Sequence, residues 1–208
     1  PGPVWVDIPV NFQGSFIETD ELFGFDEEQE KLELPDPLNE ETVCTVLNMI
    51  RDAKRPVIYA GYGIRLAGAV TEFKEMIDKL GVPVVTYWNS IDVIEDEHPL
   101  YVGRGGNMGD RPGNFAVQNS DLVLAIGTRI SIRQVGYNWE TWARAARVIM
   151  VDIDQNEMKK HTLHVDMPIW ADAKDFISKM NHLLDKENTP FFKKEEWVKA
   201  GQNWKAKY

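Results

Sequence analysis

The feature that most constrains this chain is a set of short runs that are apolar at nearly every position. They are Pro56–Ala60, Val82–Thr86, Leu122–Ile126 and Val148–Ile153, and Ile169–Trp170 starts a fifth. Runs of about five residues are too short for core helices, and apolar residues at both odd and even positions mean burial on both faces. Between them lie helical spacings. Val43, Val46, Leu47 and Ile50 share one face of a helix from an Asn39 cap to about Ala53. Val70, Phe73, Ile77 and Leu80 share a face of a second over Ala69–Leu80, and Asp172 caps a third running to about Leu184. Strands alternating with helices predict an α/β domain with a parallel sheet covered on both sides.

The remaining segments read differently. Val4–Pro9 alternates in β-branched and aromatic residues and predicts a short strand belonging to a sheet upstream. Gly14–Asn39 carries Pro35 and Pro37 without periodicity and predicts a linker. Gly103, Gly105, Gly106, Gly109 and Gly113 mark a long glycine-rich stretch, and Glu187–Tyr208 reads as a second linker.

The formal net charge is −10 over 208 residues. Eleven acids against Lys31 between Glu18 and Glu41 supply all of it; the 22 acids and 22 bases elsewhere cancel. Global acidity therefore says nothing about what the core binds, and no nucleic-acid partner is expected. The longest apolar run, Leu122–Ile126, is far short of the roughly 20 residues that cross a bilayer. One cysteine, Cys44, excludes an internal disulfide and any two-cysteine zinc motif. It sits on a helix face and is expected to be buried. With no leader, a soluble cytoplasmic protein is expected, and a start at Pro1 suggests a piece of a longer chain.

Ligands of open parallel sheets bind beyond the carboxyl ends of the strands. After the first strand comes Gly61-Tyr62-Gly63-Ile64-Arg65-Leu66, a glycine turn that lets backbone approach a diphosphate at a helix N-terminus. Leu66 stands where a dinucleotide fingerprint has its third glycine, and the same turn is equally consistent with a structural connection. Thr86-Tyr87-Trp88 ends the second strand, and Gly127-Thr128-Arg129 ends the next. Arg104, Arg111, Arg129, Arg133, Arg144 and Arg147 oppose only Asp110, Asp121 and Glu140 locally, which fits an anionic ligand or a salt-bridged face. Asp152 follows the fourth strand and can accept ribose hydroxyls; Asp154 reads as a helix cap. His161 and His164 have no third metal-type ligand nearby, no metal is expected, and no catalytic constellation stands out.

Taken together, these segments resemble thiamine diphosphate-dependent enzymes, acetolactate synthase large subunits in particular. PGPVWVDIPVNFQ (residues 1–13) is similar to the end of their pyrimidine-binding domain. RPVIYAGYGIRLAGA, VPVVTYWNSID, HPLYVGRGGNMGDRPGNFAVQNSDLVLAIGTR and VIMVDIDQNEM resemble their central domain. The resemblance implies a Rossmann-like (DHS-like NAD/FAD-binding) open parallel sheet of about six strands with helices on both faces. It divides the chain into a terminal strand of the preceding domain (1–13), an acidic linker (14–40), the central nucleotide-binding-like domain (41–186) and a linker toward the diphosphate-binding domain (187–208).

The resemblance further implies FAD, without redox part, or ADP in this domain. The matching positions are Gly61, Tyr62, Gly63 and Arg65, then Thr86, Tyr87 and Trp88, then Gly127, Thr128, Arg129 and Arg133, and finally Asp152, Ile153, Asp172 and Ala173. Tyr62 departs from the family by placing bulk between the first two glycines. Thiamine diphosphate and Mg²⁺ would be held by pyrimidine-binding and diphosphate-binding domains outside this segment, since Gly109-Asp110-Arg111 lacks the family's Gly-Asp-Gly. The parent would then be a homo-oligomeric transferase or lyase of branched-chain amino acid biosynthesis that decarboxylates pyruvate or another 2-oxo acid and ligates the fragment. The segment alone is expected to be inactive. A vestigial scaffold, another thiamine diphosphate-dependent 2-oxo acid decarboxylase and, more remotely, an NAD-dependent deacylase are the alternatives.

Overall fold

A computed structural model describes residues 3–28, 33–188 and 190–208. Positions 1–2, 29–32 and 189, in the segments expected as the terminal strand and the two linkers, lie outside the described residues. The chain forms two units, Pro1–Glu33 and Leu34–Tyr208.

In the first unit, one helical turn, α1 (Val10–Gln13), follows Pro9, and Thr19–Glu21 forms a 3₁₀ turn. The Gln13 amide closes the first on the Ile8 carbonyl at 2.8 Å. Trp5, Phe16 and Phe23 are almost fully exposed. Among the described residues the expected strand over Val4–Pro9 has no ladder and forms no regular secondary structure. Alternating β-branched and aromatic residues record a fit to a pleated surface, and a strand needs a neighbour to form.

In the second unit, six parallel strands lie in the order β3-β2-β1-β4-β5-β6. They are β1 (Pro56–Ala60), β2 (Val84–Thr86), β3 (Tyr101–Arg104), β4 (Leu122–Ile126), β5 (Arg147–Asp152) and β6 (Met167–Trp170). The pairs Ala60↔Thr86 and Ala60↔Ile126 set the register on either side of β1. The expected boundaries of β1 and β4 match; those of β2, β5 and β6 shift by one or two residues.

Each apolar run serves two cores. Ile58, Leu124 and Ile149 face a layer made by α2 (Glu40–Asp52), α4 (Val70–Leu80) and α8 (Ala173–Leu184). Val57, Val123 and Met150 face the opposite side, with Ala116 and Val117 of α5 (Arg111–Asn119). Asn39 caps α2 by accepting from the Glu41 amide at 2.9 Å, and Gly81 ends α4 at φ +74°. The Asp172 carboxylate accepts from the Lys174 and Asp175 amides to start α8.

Four departures from the sequence reading have physical causes. The glycine-rich stretch contains β3 and α5: Asp110 caps α5 through the Gly113 amide (2.9 Å) and also takes the Arg104 amide (3.0 Å). Residues 187–208, expected as a linker, carry α9 (Glu195–Lys207), which packs on this unit. The buried Trp197 indole donates to the Pro56 carbonyl at 2.8 Å and meets Trp204 edge-to-face at 5.7 Å. Its stripe of Trp197, Gly201 and Trp204 contains a glycine set against Val102, and glycine hides a helical pattern because it disfavours helix. At the other end, the Leu38 amide bonds Asp175 at 2.6 Å, so the tail of the acidic segment belongs to this unit. Finally, Cys44 is exposed rather than buried, because it lies between the inward-facing Val43 and Val46.

Candidate functional site

Strand order reverses direction between β1 and β4, and loops leaving neighbouring strands there diverge to open a crevice. A cleft of about 990 Å³ occupies that position at the carboxyl end of the sheet. That is the upper end of the range for small-molecule sites.

The exit loops are zipped together by backbone bonds of 2.9 Å: Gly61 N–H to Ile126 O, Gly63 N–H to Gly127 O, and Gly127 N–H to Val151 O. The approach leaves no room for side chains at Gly61, whose Cβ would lie 2.2 Å from the Gly127 oxygen and 2.3 Å from Thr128 Cα. Gly127 adopts φ +56°, the left-handed conformation glycine enters freely. The first glycine of the turn therefore brings two chain segments together, which favours the structural of the two readings its sequence allows.

Twelve of the fifteen expected residues line the cleft: Tyr62 and Gly63; Tyr87 and Trp88; Gly127, Thr128, Arg129 and Arg133; Asp152 and Ile153; Asp172 and Ala173. Gly61, Arg65 and Thr86 do not. Arg65 turns away to pair with Asp92 at 2.5 Å, and Thr86 is fully buried with its hydroxyl 3.1 Å from that of Tyr101. The helix expected after the first turn forms as α4, but the chain first makes a single unexpected turn, α3 (Gly63–Leu66). Its leading amides are committed to Gly127 O and Gly61 O, so the usual phosphate grip of a dinucleotide fold is not formed there.

The cationic groups come from the other side of the switch point. Arg133, on α6 (Ile132–Val135), is exposed, lines the cleft and has no ion-pair partner among the described residues. Arg129 meets Glu157 with Nε at 2.6 Å, and Lys160 pairs with the same carboxylate. Burial alone would raise the Glu157 carboxyl, but hydrogen bonds from Lys160 and Arg129 outweigh it and hold the group below the ordinary glutamate value. The six arginines of residues 104–147 do not converge: only Arg129 and Arg133 reach the cleft. Arg104 lies 3.5 Å from Asp110, and Arg111 sits over the Tyr208 ring.

The walls are apolar and aromatic. Trp88 is half exposed and meets Tyr87 edge-to-face, with ring centroids 6.1 Å apart. Asp152 ends β5 with its carboxylate on the Asp154 amide at 3.0 Å; burial raises it despite that bond. Asp154 caps α7 (Gln155–Met158), as its position predicts.

Ten further lining residues are not among those expected, and of these Gln134, Glu157 and Lys160 are polar and shape the site. Buried Gln134 accepts from the Ser131 amide and donates to the Thr128 hydroxyl, both at 2.8 Å, stitching the β4 exit loop to α6. Ser131-x-x-Gln134 and Asp154-x-x-Glu157 both have capping-box spacing, which was the available signal. Beneath the cleft the Tyr59 hydroxyl is buried with no well-formed hydrogen bond among the described residues; burial pushes its pKa above the ordinary tyrosine value, against a smaller lowering by nearby Gln134. His161 and His164 are both exposed, and no group of three or more metal-type side chains exists among the described residues. No helix there is long and apolar enough to cross a membrane.

Comparison with known proteins adds a family. Residues 43–180 match the model described as "Thiamine pyrophosphate enzyme, central domain". The probable acetolactate synthase large subunit of Methanococcus aeolicus is 30% identical over 214 residues, covering 95% of this chain and 34% of that protein. The acetolactate synthase large subunit of Corynebacterium glutamicum is 31% identical, covering the whole chain and 33% of its own length. The isozyme 1 large subunit of Escherichia coli K12 is 31% identical over 89% of the chain and 32% of its own length. The chain spans about a third of the length of these curated relatives.

Proposed function

The chain belongs to the thiamine pyrophosphate enzyme central-domain family, and from that premise we propose that it is the middle domain of an acetolactate synthase-like enzyme. The parent would decarboxylate pyruvate or a related 2-oxo acid and ligate the two-carbon fragment to an acceptor. It would do so as a cytoplasmic homo-oligomer of the transferase or lyase type, in branched-chain amino acid biosynthesis. Thiamine diphosphate and Mg²⁺ would sit on pyrimidine-binding and diphosphate-binding domains flanking this one, and this chain alone would turn nothing over. Residues 1–13 and 14–40 would lead in from the first of those domains, and the end of α9 would lead toward the second.

Within the parent, this domain's own task is to hold a nucleotide, FAD or ADP. Such a ligand supplies no redox step here; it ties the exit loops of β1, β4 and β5 together. The observation that carries the proposal is the cleft itself, which combines the exposed guanidinium of Arg133, without an ion-pair partner among the described residues, with the half-exposed indole of Trp88. A guanidinium fork suits diphosphate oxygens, and an indole suits a flat heterocycle. Asp152 stands at the end of β5, where it can accept hydroxyl groups of a ribose.

Calorimetric titration of the folded chain with FAD and with ADP tests the proposal. Saturable one-site binding of either nucleotide is expected, with visible flavin absorbance retained through gel filtration in the FAD case. Heats indistinguishable from buffer for both would leave the domain a scaffold with an empty site.

A further inference from the structure

One carboxylate in the cleft is buried for a reason that ligand contact does not explain. Glu157 sits on α7, after β5, with its side chain only 8% exposed. A single oxygen, Oε1, accepts from Arg129 Nε at 2.6 Å and forms an ion pair with Nη2 at 2.5 Å, while Oε2 faces the Lys160 ammonium. Lys160 also donates to the Arg129 carbonyl. The β5 exit segment thus grips both the side chain and the backbone of the residue that leads the β4 exit loop.

The geometry of that grip is specific. A guanidinium carries five N–H donors in one plane. Glu157 takes the Nε edge and leaves the outer edge, including both Nη1 donors, without a partner among the described residues. Arg129 remains 76% exposed while lining the cleft. Its backbone is fixed as well. The Ile130 amide closes a three-residue turn on Thr128 O, and Ile130 is buried at φ +43°, an unusual conformation for a β-branched side chain. Such strain persists only where surrounding contacts over-determine it. Lys160 offsets the charge that Glu157 removes, so the cluster stays cationic.

We infer that Glu157 is a positioning residue: it holds Arg129 side-on, so that the outer edge of the guanidinium is presented, already ordered, to a diphosphate in the cleft. The ligand half of this inference rests on the nucleotide reading above; the ordering of Arg129 does not. A long side chain fixed before binding loses less freedom on binding, which is where the affinity arises.

The test uses nitrogen-15 NMR of the arginine Nε–H groups together with ADP calorimetry. In the wild-type chain the Arg129 Nε–H should be ordered and slow to exchange with solvent. Glu157→Ala should render it as mobile as an unpaired arginine and weaken ADP by about tenfold. Glu157→Gln, which keeps an acceptor oxygen in place, should recover part of both. Once Arg129→Ala is present, adding Glu157→Ala should leave ADP affinity unchanged, an outcome a merely structural glutamate would not give. An Arg129 Nε–H equally ordered in the wild type and in Glu157→Ala overturns the inference, as does an additive double mutant. If the wild-type chain binds neither ADP nor FAD, the nucleotide reading fails by itself, and the NMR comparison still decides whether Glu157 orders Arg129.

Discussion

Gly61→Ala separates two roles that a glycine turn can have. If Gly61 admits a ligand, an added methyl blocks binding and leaves the fold intact. If it admits a neighbouring strand, the methyl damages the fold. A Cβ there would sit 2.2 Å from the Gly127 oxygen and 2.3 Å from both Cα and Cβ of Thr128, whereas ordinary contact begins near 3.4 Å. The β1 and β4 exits must therefore separate by about an ångström, and the Gly61 N–H to Ile126 O bond of 2.9 Å lies across that gap. Overpacking costs about 1–3 kcal/mol, and a lost backbone bond adds about 1 kcal/mol. Destabilisation of about 2–4 kcal/mol is expected, read as a drop in the urea midpoint at unchanged slope. Nucleotide affinity per folded molecule should stay close to wild type. Unchanged stability with abolished binding would refute the packing argument.

Three further changes probe other links. Trp197→Ala removes a buried indole and leaves the Pro56 carbonyl without its partner; a loss of about 3–5 kcal/mol in urea denaturation is expected, and a loss under about 1 kcal/mol would mean α9 does not belong to the domain. Tyr59→Phe deletes a buried hydroxyl that has no well-formed hydrogen bond among the described residues, so stability should rise, by on the order of 1 kcal/mol; a fall would show that nearby Gln134 satisfies the hydroxyl. Glu157 is held below its ordinary carboxyl value despite its burial, because Lys160 and Arg129 hydrogen-bond its ionised form. The stability it contributes is thus present above the unfolded-state value and lost as pH falls through the folded one. Glu157→Gln should narrow the gap in urea midpoint from wild type between about pH 5 and pH 3, and a constant gap would contradict that.

Much of the sheet was legible because burial on both faces leaves a signature no other element shares. Pro56–Ala60 and Leu122–Ile126 are central strands, apolar throughout, and their ends matched to the residue. Asn39, Asp154 and Asp172 were legible as caps because a short polar side chain ahead of a helical spacing has few other uses. The edge strand β3 was hidden because Gly103 and Arg104 break its apolar run, and α9 because Gly201 lies in its packing stripe. Most residues lining the cleft were legible as strand ends, since the fold brings those ends together. Charge did not transfer in the same way. Six arginines close in sequence scatter over the surface, and Glu157, one acid among many in the sequence, becomes the residue that grips Arg129. Pair geometry of that kind depends on which loops meet, and spacing along the chain does not encode it.

On the nucleotide reading proposed above, an anion in the switch-point cleft would be held from the β4 side, by the guanidinium groups beyond Gly127, and not by the glycine turn after β1. Titration of ADP into the wild type and Arg133→Ala measures this most directly. Loss of a charge-assisted hydrogen bond costs about 1.5–3 kcal/mol, so affinity should fall roughly 10- to 100-fold with the urea midpoint unchanged. Equal affinity in the two proteins would place the diphosphate elsewhere and contradict the account.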